Sequence, residues 1–141
     1  MVDDLQYSSG AFCVSLMLPH QTTENLIKTG VFGISIPGTD LQKALLASGC
    51  CSGRVVGDKF EHLKLGKVAG LTLPVSFVEG ALAHIECRVV DPNLLKRTGL
   101  AIGEAVAARV NDQYWARIKR EFISQPRQNP QAPQRSPRSR G

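Results

Sequence analysis

The apolar positions fall into two kinds of pattern. Residues 11–18 run Ala11-Phe12-Cys13-Val14-Ser15-Leu16-Met17-Leu18, a continuous apolar and β-prone stretch that predicts a buried strand ending at Pro19. Polar residues follow from His20 to Thr29, with Leu26 and Ile27 among them. Thr22 suits a helix cap, Glu24 the positive first turn and Gly30 the end, so a short helix is expected there. Phe32, Ile34 and Ile36 then alternate, which predicts a strand closed by Pro37-Gly38. Thr39-x-x-Gln42 reads as a capping box opening a second helix, with Leu41, Ala44 and Leu45 on one side and its end at Gly49. Residues 50–57 read as a loop, after which Asp58 caps a short helical turn carrying Phe60 and Leu63.

From Leu71 to Val110 the chain reads mostly as strand. Ala81, Ala83, Ile85, Cys87 and Val89 share one face. His84, Glu86 and Arg88 share the other, which is therefore expected to be half solvated or packed at an interface. Asp91-Pro92-Asn93 is a turn signal. Leu100, Ile102, Val106 and Val110 predict a last long strand, and Trp115, Ile118 and Phe122 at i, i+3 and i+7 predict a C-terminal amphipathic helix. The order of elements points to an α+β fold, mostly β, built on an antiparallel sheet or barrel with helices on one side. No internal repeat is visible.

Composition alters this picture mainly at the C-terminus. The chain has 141 residues and a formal net charge of +5. Residues 117–141 hold seven basic residues and one acidic residue, so the whole excess lies there and the body is near neutral. Pro126, Pro130, Pro133 and Pro137 sit among Gln, Asn, Ser and Arg, a composition that cannot bury a core. One domain over residues 1–124 and a disordered basic tail over 125–141 are therefore expected. Arg117, Lys119, Arg120, Arg127, Arg135, Arg138 and Arg140 carry charge suited to phosphates. Phe122 is the one aromatic residue among them, and the body shows no RNA or DNA motif, so nucleic acid is not expected as a partner. No stretch of about 18 residues lacks charges and helix breakers, so no membrane span is expected. The polar start, Met1-Val2-Asp3-Asp4, shows no secretory pattern, and a cytoplasmic location follows as the expectation.

The chemistry is weakly marked. There is no P-loop, no G-x-G-x-x-G and no G-x-S-x-G elbow. His20, His62 and His84 share no spacing, and Cys13, Cys50, Cys51 and Cys87 form neither a zinc pattern nor a disulfide framework. These thiols are expected to be reduced, and Cys50-Cys51 to be buried and inert. No metal site is expected. Ser52-Gly53-Arg54 followed by Asp58-Lys59-Phe60 combines a hydroxyl, a flexible glycine and two cations near a helix start, which makes an anion site. Taken alone it reads more readily as a solvated loop with a cap. His20 to Thr23 places polar residues at a helix start after a buried strand, which suits phosphate or simple capping by Thr22.

In order, these pieces resemble the flavin reductase-like, FMN-binding split-barrel family, in particular its flavoredoxin branch. The resemblance is carried by Val14-Ser15-Leu16, by His20-x-Thr22-x-Glu24-x-Leu26-Ile27-x-x-Gly30-x-Phe32-x-Ile34-Ser35-Ile36-Pro37, and by Ser52-Gly53-Arg54-x-x-x-Asp58-Lys59-Phe60. Ile85-Glu86-Cys87-Arg88-Val89-Val90 and Ile102-Gly103-Glu104 also match, so it covers about residues 12–110. The resemblance implies a Greek-key split β-barrel with small flanking helices, a homodimer, and FMN bound near the subunit interface. It implies electron transfer from NADH or NADPH through the flavin to free flavin or a protein acceptor, in some members a monooxygenase. The flavin-binding positions it implies are Ser15, Leu16, His20, Thr22, Thr23, Ser52, Gly53, Arg54 and Lys59, with no catalytic acid or nucleophile. Two departures stand out. The family's first barrel hairpin, before the Val14 strand, is matched here only by Met1 to Gly10, so the N-terminal flavin-contacting segment is expected to be missing. Arg97-Thr98 stands where many relatives have Asp-His beside the nicotinamide. The alternative is therefore a truncated or non-catalytic flavin-binding or structural subunit.

Overall fold

The computed structural model describes residues 10–123, and the expected tail over 125–141 lies outside the described residues. The described residues up to Asn111 form one compact unit and those from Asp112 a second. In the first unit the elements run β1 (Ala11–Ser15), α1 (Gln21–Thr29), β2 (Val31–Ile36), α2 (Gln42–Cys50), α3 (Gly53–Val56) and α4 (Lys59–His62). Then follow β3 (Lys67–Ala69), β4 (Ser76–Val78), β5 (Ala83–Val89), α5 (Pro92–Thr98) and β6 (Leu100–Val110). Four strands make a curled antiparallel sheet in the order β1-β6-β5-β2, and β3 pairs with β4 as a separate hairpin. Helices flank the sheet, giving the half-barrel of a split-barrel fold.

The central strand β5 is covered on both faces. One face carries the main core, in which Leu26 of α1, Val89 of β5, Leu95 of α5 and Ala101 of β6 are buried against Leu16, Ile27 and Phe32. Gly103 lies opposite Val89. A side chain there would run into the Phe32 ring, so glycine is what lets that ring lie flat on the sheet. The β3–β4 hairpin reaches the strand by way of Phe77, buried to 1% exposure. A Cβ on Gly33 would stand 2.6 Å from that ring. The Phe77 ring stacks on His84, with centroids 4.6 Å apart. The Nε2 of His84 donates to the Val78 carbonyl at 2.9 Å, since a carbonyl only accepts.

The face expected to be half solvated or packed at an interface is mixed: Arg88 is exposed and His84 half-buried, but Glu86 departs from a solvated position. Glu86 is buried to 2% exposure. Its carboxylate accepts from the backbone N–H of Leu71, from Thr72 N–H at 3.0 Å and Oγ1 at 2.9 Å, and from Leu73 N–H at 2.7 Å. Burial pushes this carboxyl up, but the four donors outweigh it and hold it below its ordinary 4.5. Alternation alone marked Glu86 as polar; it could not show that a loop from outside the sheet brings the donors. Between Glu86 and Cys87 the register with β6 shifts by one residue, leaving Val106 without a partner and bending the ladder.

Other local readings also change. β1 ends at Ser15, leaving Met17 and Leu18 exposed in the turn beyond it. The Thr39 capping box does not form. Gly38 is the cap of a 3-10 turn, Thr39–Leu41, without a side-chain bond, and α2 runs on to Cys50. Asp91-Pro92-Asn93 is a helix start rather than a turn. Asp91 accepts from the N–H of Asn93 and Leu94, and Pro92 takes the first helical position, where a missing N–H costs nothing. Leu71 to Val110 thus holds α5 as well as three strands.

In the second unit, α6 (Asp112–Ile118) passes into a five-residue π-helical turn, Lys119–Ile123. Arg117 pairs with Glu121 at 3.6 Å, and Lys119 lies over the Trp115 ring at 5.3 Å. Both are i, i+4 contacts, and the exposed Arg117–Glu121 pair is worth a few tenths of a kcal/mol. No described helix is long and apolar enough to cross a membrane.

Because the folded carboxyl of Glu86 lies below its ordinary value, its contribution is complete above about pH 5. It is lost as pH falls through the folded value. Glu86→Gln should cost about 3 kcal/mol at neutral pH, since one amide cannot accept from four donors. The gap to the parent should narrow below pH 4.5, the ordinary value. Thermal denaturation of both forms across pH 3–8 checks this, and parallel curves would contradict it.

Candidate functional site

A turn locked from below sets one wall. After β1, Leu16 N–H donates to Gly99 O at 2.9 Å and His20 N–H to Met17 O at 3.1 Å. Thr23 Oγ1 also donates to Met17 O, at 2.7 Å, and Thr23 has no exposed surface. With Thr23 turned inward, the helix begins earlier than expected. His20 is the N-cap and no side chain caps α1, so Thr22 is the second helical residue rather than the cap. The first turn of α1 therefore presents His20, Gln21 and Thr22 to a cleft. Helix N-terminal N–H groups without a side-chain cap favour an anion.

The end of α2 and the two helical turns after it set the other walls. Residues 50–57 contain α3, whose cap is Ser52: its Oγ accepts from Arg54 N–H at 3.3 Å, and its carbonyl from Val55 and Val56 N–H. Asp58 caps α4 as expected, accepting from Phe60 N–H at 2.8 Å and from Lys67 Nζ at 2.8 Å. The Lys67 hydrogen bond and the Phe60 N–H hold the Asp58 carboxyl below its ordinary value. Lys59 Nζ donates to the Ser48 carbonyl at 2.7 Å, bracing α4 against the end of α2. Arg54 forms an ion pair with Glu24 that ties α3 to α1.

The cleft enclosed by these walls is about 690 Å³, within the usual range for small-ligand sites. Six of the nine candidate residues line it: His20, Thr22, Ser52, Gly53, Arg54 and Lys59. A second cavity of about 750 Å³ lies against the sheet, lined by Leu16 and by apolar groups such as Val14, Phe32, Ile34 and Val75. Thr22, Asn25 and Phe60 line both, so the polar cleft and the apolar cavity adjoin. Ser15 is exposed on β1 and lines neither cavity, and Thr23 is sealed beneath the turn. Gln21, Asn25, Cys50, Cys51 and Phe60 also line the cleft, outside the nine candidates. Asn25 stands four residues after Gln21 on one helix face, and Gln21 Nε2 donates to it at 2.9 Å. Among the described residues no cluster of three or more His, Cys, Asp or Glu could hold a metal ion.

The family model described as flavin reductase like domain matches residues 5–121. The chain belongs to the flavin reductase like family. Solved structures agree. Flavoredoxin of Desulfovibrio vulgaris (Miyazaki F) superposes with a TM-score of 0.66 at 27% identity, over 73% of this chain and 54% of that one. An FMN-binding domain of flavin reductases-like enzyme from Shewanella baltica gives 0.67 at 22% identity, over 73% and 55%. An FMN-binding protein from Thermus thermophilus with bound p-hydroxybenzaldehyde gives 0.62 at 25% identity, over 72% and 55%. This flavin reductase like chain thus spans about half the length of the solved structures it matches.

The donors of the cleft suit the family's phosphorylated cofactor. Lys59 has three N–H groups and spends one on Ser48, and Arg54 has five. The helix start, Thr22 and Ser52 add neutral donors, and the adjoining apolar cavity suits a flat ring.

The two roles can be separated by stability. Thr23→Val keeps the shape but removes the bond to Met17 O, and should cost about 1 kcal/mol. Arg54→Ala removes an exposed ion pair and should cost only about 0.2–1 kcal/mol. Denaturant unfolding of each variant checks the ranking; a larger loss for Arg54→Ala would make it a structural residue.

Proposed function

We propose that this chain binds FMN across the two adjoining cavities and acts as a flavin oxidoreductase fed by NADH or NADPH. The observation that carries the reading is the junction at Thr22, Asn25 and Phe60, where a polar cleft with two cations opens onto an apolar cavity. Arg54, Lys59, Thr22 and Ser52, with the first turn of α1, would hold the phosphate. Leu16, Phe32 and Val75 would face the ring. Bound flavin supplies the hydride and electron chemistry, and the protein supplies placement and charge. The electrons would pass to free flavin or to a protein acceptor such as a monooxygenase component, with the chain acting as a homodimer.

A second reading, a non-catalytic flavin-binding subunit, is favoured by one position. Thr98 stands where many members carry a histidine. Its hydroxyl donates to Leu94 O at 2.7 Å and accepts from Leu100 N–H at 3.1 Å, so it is engaged in closing α5. It offers no titratable group to a nicotinamide.

Absorbance titration with FMN tests binding, and NADH or NADPH oxidation separates the readings. Retained flavin with turnover supports the first; retained flavin without turnover supports the second. Arg54→Ala and Lys59→Ala should each weaken FMN about tenfold, the effect of one charge-assisted hydrogen bond. A protein that retains no flavin would overturn both.

A further inference from the structure

The four cysteines occupy different surroundings. Cys87 has no exposed surface, and burial pushes its thiol up, so it is inert. Cys13 is exposed on β1, opposite Ile102, and lines neither cavity. Cys50 is exposed and Cys51 half-buried, correcting the expectation that this pair is buried. Both line the polar cleft. The helix ends between them: Cys50 is the last helical residue and Cys51 is extended, with φ −118° and ψ 144°. Cys51 Sγ turns back to the Ser48 carbonyl at 3.8 Å, leaving Cys50 the more open thiol.

The cleft around them suits a small peptide acid. Arg54 and Lys59 are cationic, His20, Thr22 and Ser52 are polar, and about 690 Å³ accommodates a tripeptide. We propose that Cys50 is a thiol-modification site in this cleft, captured by a small anionic disulfide of the glutathione type, and that the adduct excludes the anionic ligand. The second half rests on the FMN reading above.

The step balances within the two reactants. Cys50 loses its proton and its sulfur attacks one sulfur of the disulfide. The S–S bond breaks as the new Sγ–S bond forms. The other half leaves as a thiolate and takes up a proton. Cys50 is oxidised to the mixed-disulfide level and the departing half is reduced. Cys51 is poorly placed to displace the adduct, because a disulfide between adjacent residues is strained. Release therefore needs an external thiol. The adduct's carboxylates would draw on the Arg54 and Lys59 donors that a phosphate needs.

The test incubates the full chain with glutathione disulfide and, separately, with the neutral hydroxyethyl disulfide, and maps adducts by peptide mass. With glutathione disulfide, Cys50 should be modified about tenfold faster than Cys13, and the preference should shrink with the neutral probe. Cys50→Ser should leave only slow labelling, at Cys13 and at half-buried Cys51. Equal or faster labelling of Cys13, or the same preference with both probes, would overturn the site. Saturating FMN should slow Cys50 labelling about tenfold and leave Cys13 unchanged, because one group of donors serves both ligands. If absorbance shows FMN bound while Cys50 labelling is unchanged, the exclusion is wrong. If no FMN binds, the FMN reading and the exclusion fail together, while the two-probe comparison still decides the modification site.

Discussion

The buried carboxylate of Glu86 is the constraint on which the described fold turns. A charge cannot sit in the middle of a sheet unless its hydrogen-bonding capacity is filled. Here the filling comes from the loop of residues 71–73 between β3 and β4, which lies outside the sheet. Once that loop is held, β3 and β4 lie over the strand and Phe77 reaches Gly33 and His84. Packing and charge are thus coupled: the ring needs a glycine beneath it, and the carboxylate needs the turn that brings the ring. Replacing Glu86 by an apolar residue would remove the desolvation cost but leave the N–H groups of Leu71, Thr72 and Leu73 without this acceptor. Such a change trades one cost for another rather than relieving strain.

The site depends on a smaller lock of the same kind. Thr23 is buried so that the turn after β1 closes, and its hydroxyl takes the Met17 carbonyl. That arrangement draws the start of α1 forward and leaves its first turn facing the cleft without a side-chain cap. The open end is offset by a tight C-terminus, where Gly30 sits at φ 68° and donates to Leu26 O. Stability comes from burial beneath the helix, and the first-turn N–H donors remain at its exposed end.

These two locks explain what was legible in the sequence. Elements whose signal is local came through: the Phe32-Ile34-Ile36 strand, the long strand after Gly99, and the Asp58 cap. Six of the nine candidate residues lie together because they belong to short motifs around helix starts. What failed depended on distant partners. Glu86 was polar by alternation but is satisfied from residues 71–73. Thr22 and Thr23 are chemically equal in the sequence, and only the position of the Met17 carbonyl decides which turns inward. Asp91-Pro92-Asn93 supports a turn or a helix start equally well. Leu94 and Leu95 decide for the helix, with Leu95 buried in the core.

Charge balance in the cleft sets the last condition on its ligand. Asp58 is answered by Lys67, and Glu24 by Arg54. Lys59 is met by a carbonyl, not a carboxylate. Taken together, these five side chains carry a surplus of one positive charge. A phosphate with close to two negative charges would exceed that surplus, and at Arg54 it would meet a cation already paired with Glu24. Both partners of that pair are roughly half exposed, at 47% and 42%, so water can take over from Arg54 at Glu24 at little cost. An anion bound at the guanidinium would share its five N–H donors with Glu24. Affinity and the rigidity of this wall draw on one side chain, and the same competition applies to any anion that enters the cleft.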